Sequence, residues 1–342
     1  MRLLRYGRYV NARVETDSGT GSQDRWLLLI HQIPAKPAYL RVKIWRRLQA
    51  LGAVTVKNAV YALPASDQAQ EDFEWVLKEI CEGGGEALIC EARLIDGLSD
   101  QEVRALFNTA REEDYDLLAK DARTLADTLR QDPTADAKAE AKAQFAKMKT
   151  RADQVLAIDF FGANGREALD GLLGGLEKLL KDEGSAMAVG TALGFQGARD
   201  LTGRTWVTRK GVHVDRIAST WLIRRFIDEK AAFKFVPAKG YVPEAGELRF
   251  DMFDAEFTHI GDRCTFEVLM LAADLKDPAL QAIAEIVHDI DLKDAKFGRE
   301  QTAGIAQLIS GICISHKDDV ARIERGAALF DDLYAYFRKV RR

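Results

Sequence analysis

At 342 residues, 47% of them apolar and 30% charged, the chain exceeds what one hydrophobic core usually holds, and two domains are expected. Its net charge of -4 excludes a uniformly basic nucleic-acid binder, so any polyanion-binding face must be regional. Four scattered cysteines without a CxxC pair exclude a disulfide framework and point to a reducing, cytoplasmic setting; the lack of any uninterrupted apolar run of about 18 residues excludes a membrane span.

Residues 1–24 read as a flexible leader with no apolar export segment. The run WLLLIHQIP from Trp26 predicts a strand, closed by Pro34 and Pro37. Residues 38–51 follow with Leu40, Ile44, Leu48 and Leu51 on one helical face, stopped by Gly52. AVTVKNAVYALP reads as two short strands or one bent around Lys57 and Asn58. Next come a helix capped by Ser66 and the strand EALICEARLI.

Strand, helix, strand, strand, helix, strand is the ferredoxin-like βαββαβ order, and residues 25–98 are read as that domain within an α+β protein. Residues 99–200 read as a helical connector. It is broken at Pro133, has an Ala/Lys-rich stretch, contains a helix at 166–181, and ends in a glycine-bearing loop or hinge. Residues 201–342 are expected to be mainly helical with a small sheet. RTWVTR, AAFKFVPA and ELRFDMF read as strands and IASTWLIRRFIDE as an amphipathic helix, with further helices near 264–273, 277–291, 301–314 and 317–340.

Basic residues crowd the first domain: Arg25, Lys36, Arg41, Lys43, Arg46, Arg47 and Lys57 precede a single acid, Asp67. Arg41, Lys43, Arg46 and Arg47 fall on the outer side of the first helix, suited to a phosphate backbone, with Trp45 among them. A solvated helix face explains the charge equally well, and spacing does not separate DNA from an acidic protein.

Four of the five histidines lie after residue 212. In GVHVDR an extended backbone would point His213 and Asp215 to one face. Asp251, His259, Glu267 and His288 complete a candidate metal set of zinc, iron or manganese type. Arg216, Arg224, Arg263 and Cys264 form a candidate anion-binding set, since guanidinium groups hold tetrahedral oxyanions. Taken singly, each has a plainer role as a hydrogen-bonded histidine, a cap or a surface ion pair.

The segment from WLLLIHQIP to NAVYALP, with GVHVDRIASTWLIRRFID, FDMFDAEFTHIGDRCTFEVL and HDID, closely resembles the ChrB chromate-resistance regulators, over nearly the whole chain from Trp26 onward. The N-terminal part also resembles the ferredoxin-like module of PaaX-type regulators and the Cas2 nucleases. The ChrB resemblance implies a cytoplasmic repressor of a chromate-efflux operon that binds operator DNA through its N-terminal half and senses chromate in its C-terminal half. Symmetric operators would imply a homodimer.

Three sensing routes fit the residues: paired arginines holding the dianion, a Cys264 thiolate oxidised by it, or a bound divalent metal supplying positive charge. The alternative function is a metal-dependent enzyme. It would be a chromate reductase, or a phosphohydrolase working through His213, His259, His288 and Asp289, though His259 falls in strand-like sequence.

Overall fold

A computed structural model describes residues 25–36, 38–131, 134–181, 201–237 and 240–339. The predicted leader, residues 1–24, and most of the predicted hinge, residues 182–200, lie outside the described residues.

The first unit runs β1 (Trp26–Gln32), α1 (Ala38–Ala50), β2 (Val54–Lys57), β3 (Val60–Pro64), α2 (Asp67–Glu82) and β4 (Glu86–Ala92). Its antiparallel sheet has the order β2-β3-β1-β4, so each βαβ unit carries a strand of the other between its own two, as the sequence order predicts. Leu40, Ile44 and Leu48 of α1 and Phe73, Val76 and Ile80 of α2 supply its core. The ambiguous stretch forms two strands. Lys57 pairs with Val60 across a tight turn where Asn58 adopts φ 44, a left-handed conformation that asparagine tolerates.

The connector is a packed layer with its own core. Helices α3 (Asp100–Gln131), α4 (Ala135–Ala157) and α5 (Arg166–Lys181) bury Tyr115, Leu118, Leu125, Ala141, Met148, Leu172 and Leu176 between them. Small residues such as Ala122 and Ala141 let the Ala/Lys-rich α4 approach closely despite its few large side chains. At about 1.5 Å per residue, α3 spans about 48 Å. Near its start the Trp26 indole donates to Asp100 at 2.8 Å and stacks on Phe107. Farther along, Arg123 donates to the Leu292 carbonyl at 2.7 Å and Lys293 pairs with Asp116 at 2.6 Å. One helix therefore touches both β1 and the segment around Leu292 and Lys293.

The last unit begins β5 (Thr205–Arg209), α6 (Val214–Leu222), β6 (Ala232–Val236) and β7 (Glu247–Arg249). It continues with α7 (Thr265–Ala272), α8 (Pro278–Asp291), α9 (Thr302–Ser315) and α10 (Asp319–Lys339). The helix predicted through residue 229 changes to π geometry over Ile223–Ile227 and stops there. Of ELRFDMF only the first three residues are strand, because Asp251 turns the chain at φ 45. The sheet is parallel with β5 in the middle, order β6-β5-β7. Among the described residues no helix is long and apolar enough to cross a membrane.

Candidate functional site

After β5 the chain crosses through α6 to β6 on one side, and β7 then pairs on the other side of β5. Parallel sheets open a crevice beyond the carboxyl ends of their strands at such a reversal. A cavity of about 30 Å³ lies there. Arg209, His213, Asp215 and Arg216 reach it from the end of β5 and the start of α6, Asp251 and His259 from the segment after β7, and Asp291 from the end of α8. The fourth wall belongs to the connector: Asn164, Gly165, Glu167 and Ala168, where α5 begins.

Asp215 accepts the Thr265 and Phe266 backbone N–H groups at 2.8 and 3.0 Å and the Ser219 hydroxyl at 3.3 Å. A carboxylate thus satisfies the free donors at the N-terminus of α7. Asp251 accepts the Thr265 hydroxyl at 3.1 Å and pairs with Arg216 Nε at 3.1 Å, while Arg216 Nη1 donates to the Gly211 carbonyl at 3.0 Å. His259 Nε2 lies 2.7 Å from Asp291 Oδ2. Its Nδ1, buried and 3.6 Å from Asp251 Oδ1, has no hydrogen-bond partner. Arg209 donates to the Gly162 carbonyl at 2.6 Å and to Glu167 at 3.1 Å, tying the connector to the end of β5.

Burial pushes the Asp215 and Asp251 carboxyls up, reinforced for Asp215 by its neighbours Asp251 and Asp291. For Asp291 burial is outweighed by the bond to His259, and its carboxyl is held low. Burial opposes charge on His259, but Asp291, Asp251 and Asp215 together raise its pKa to about 10. Burial pushes His213 down, outweighing the upward pull of Asp291. The site is thus short of positive charge and draws a proton onto its central histidine.

His213, Asp215, Asp251 and His259 of the predicted metal set meet in this cavity. His213 caps α6 and Asp215 already lies in its first turn, so an extended pair is not what brings them together. Glu267 and His288 lie elsewhere. Glu267 accepts the Cys264 N–H at 2.9 Å and sits 2.7 Å from His288 Nδ1, whose Nε2 is 3.4 Å from Asp294. Asp289 accepts the Phe297 and Gly298 N–H groups, which occupies it in shaping a loop.

Of the predicted anion-binding set only Arg216 lines the cavity. Arg224 is exposed over the Phe233 ring, and Arg263 is exposed. Cys264 is fully buried; burial, with Asp215 and Glu267 nearby, pushes its thiol up and disfavours a thiolate. The predicted DNA-binding residues Lys36, Arg41, Lys43, Arg46, Arg47 and Lys57 are all exposed. Lys43 and Arg47 share Glu79 of α2 at 2.9 and 3.8 Å, and Trp45 beside them is 52% exposed.

Sequence reasoning missed Glu167, Arg209 and the connector wall. A readable signal existed in Gly171 and Gly175, spaced by one helical turn: a Cβ on Gly171 would stand 2.7 Å from the His259 Cβ, and one on Gly175 would stand 3.1 Å from the Gly261 Cα. These glycines let α5 lie against the segment that carries His259.

Residues 41–168 match the family model described as Protein ChrB, N-terminal, and residues 206–337 match the model of the ChrB C-terminal domain. The chain belongs to the ChrB family. A curated relative, Protein ChrB of Cupriavidus metallidurans, is 27% identical over 321 residues, covering 93% of this chain and 96% of that one. No solved structure matches. The cavity straddles the two family regions, with Glu167 from the first and the remaining charged residues from the second.

Proposed function

We propose that this chain is a chromate-responsive transcriptional repressor of a chromate-resistance operon, with operator DNA on the outer face of α1 and the oxyanion signal received in the interdomain cavity. The observation that carries this reading is the connector wall. The cavity is walled on one side by Asn164, Gly165, Glu167 and Ala168 of the layer that also packs against the N-terminal sheet, so what occupies it bears on how that layer is held. An occupant with unequal affinity for two arrangements of that layer shifts their populations, whereas equal affinity shifts nothing. The exposed cluster of Arg41, Arg46 and Trp45 on α1 supports the DNA half.

Sensing by Arg216 alone is disfavoured, because its Nε and Nη1 are already bonded. Four carboxylates line the cavity against two guanidiniums, so a dianion enters only alongside a compensating cation.

A binding assay of the full chain on DNA from the promoter region of its own operon, with chromate or sulfate added, tests the proposal. Tight binding released by chromate and not by sulfate is expected. Arg46→Ala should weaken binding on all sequences and reduce the salt slope by about 1. Absence of DNA binding under every condition would sink the repressor reading.

A further inference from the structure

We infer that the cavity is a site for one divalent transition-metal ion, with Asp251 and Nδ1 of His259 as ligands and Asp215 and His213 in the same walls as further donors. Site geometry alone supports this, independently of the repressor reading.

One oxygen or nitrogen from each of Asp215, Asp251 and His259 can be chosen so that all lie within 4.8 Å of one another, and all three residues are buried. Compact clusters of acids are common without an ion, so the decisive feature is the histidine. His259 is 5% exposed, yet its Nδ1 has no hydrogen-bond partner and faces Asp251 at 3.6 Å. Buried polar atoms ordinarily have hydrogen-bond partners, and one left unpaired is costly. On the far side of the ring Nε2 lies 2.7 Å from Asp291 and 3.9 Å from Asp215 Oδ2. A histidine that ligates a metal through one nitrogen and donates its other N–H to a carboxylate has this arrangement.

Charge points the same way. Arg209 is matched by Glu167 at 3.1 Å and Arg216 by Asp251 at 3.1 Å, which leaves Asp215 and Asp291 without a guanidinium. A cavity of about 30 Å³ has room for an ion, since about 10–15 Å³ is the minimum for one water. Imidazole with carboxylates and no thiolate favours manganese, iron or zinc over soft ions such as Cu(I).

The second acidic cluster, His288 with Asp289 and Asp294, is different. Both ring nitrogens of His288 have partners, Nδ1 lying 2.7 Å from Glu267 and Nε2 3.4 Å from Asp294, so no unpaired imidazole nitrogen faces that cluster. It serves as the internal control.

The test uses the full-length protein, stripped with chelator and titrated anaerobically with Mn(II), Fe(II) or Zn(II) alone. Bound metal is read by elemental analysis after desalting, and thermal unfolding by calorimetry. One equivalent per chain and a raised Tm are expected for wild type. Loss of that equivalent is expected in His259→Ala and Asp251→Asn, affinity about 10- to 100-fold weaker in Asp291→Asn, and full retention in His288→Ala. No stoichiometric ion in the folded wild-type protein overturns the inference, and so does an ion kept by His259→Ala or lost from a folded His288→Ala. The wild-type titration decides by itself, so its outcome stands even where a variant fails to fold. DNA binding is not part of the readout, so this inference and the repressor reading fail separately.

Discussion

His288 and Glu267 hydrogen-bond each other at 2.7 Å behind the cavity, with Glu267 also holding the first N–H of α7 through Cys264. The same helix terminus gives its next two N–H groups to Asp215. Glu267 therefore positions the terminus on which a cavity carboxylate depends. Glu267→Ala should leave His288 and the Cys264 N–H unpaired and lower stability by about 1–3 kcal/mol, measured by urea denaturation. An unchanged midpoint would show that the pair holds nothing in place.

Burial disfavours charge on His288, but its bonds to Asp294 and Glu267 outweigh it and hold the pKa up at about 9. An unfolded histidine titrates near 6.5, roughly. A folded pKa raised above the unfolded one contributes stability that is complete below about pH 6.5 and is lost as pH rises through about 9. The stability difference between wild type and His288→Gln should therefore shrink across that window. A difference that stays constant with pH would count against a charged His288.

Helix α5 offers an internal comparison. Alanine at Gly171 would collide with the His259 Cβ at 2.7 Å, whereas nothing lies within 4 Å of a Cβ at exposed Gly174. Gly174→Ala should stabilise by up to about 1 kcal/mol through helix propensity. Gly171→Ala gains the same propensity but overpacks, a cost of about 1–3 kcal/mol, so its Tm should fall. Equal effects of the two substitutions would mean that α5 does not press on the His259 segment.

Arg209 and Glu167 are both buried and face each other at 3.1 Å. Arg209→Ala leaves the Glu167 carboxylate uncompensated and should cost about 3–5 kcal/mol in chemical denaturation. Adding Glu167→Gln should restore part of that loss, because the stranded charge is removed. No recovery in the double variant would place the cost in the carbonyl contacts of Arg209 instead.

Local periodicity and caps determined most of the elements. The α1 face of Leu40, Ile44 and Leu48, the Ser66 cap and the helix over 166–181 stand as the sequence predicts, because each is set by neighbours within a turn or two. Candidate residues were legible as types. His213, Asp215, Asp251 and His259 were readable because four of the five histidines fall after residue 212, three of them close to carboxylates. What the sequence could not decide was which of them share a space. Glu267 and Cys264 sit close in sequence to His259, yet one caps a helix and pairs with His288 and the other is sealed as a thiol, while Glu167 arrives from almost a hundred residues away. That sorting depends on the reversal of strand order around β5 and on the glycines that seat α5 against residues 259–261, contacts between segments far apart in the chain that no local pattern encodes.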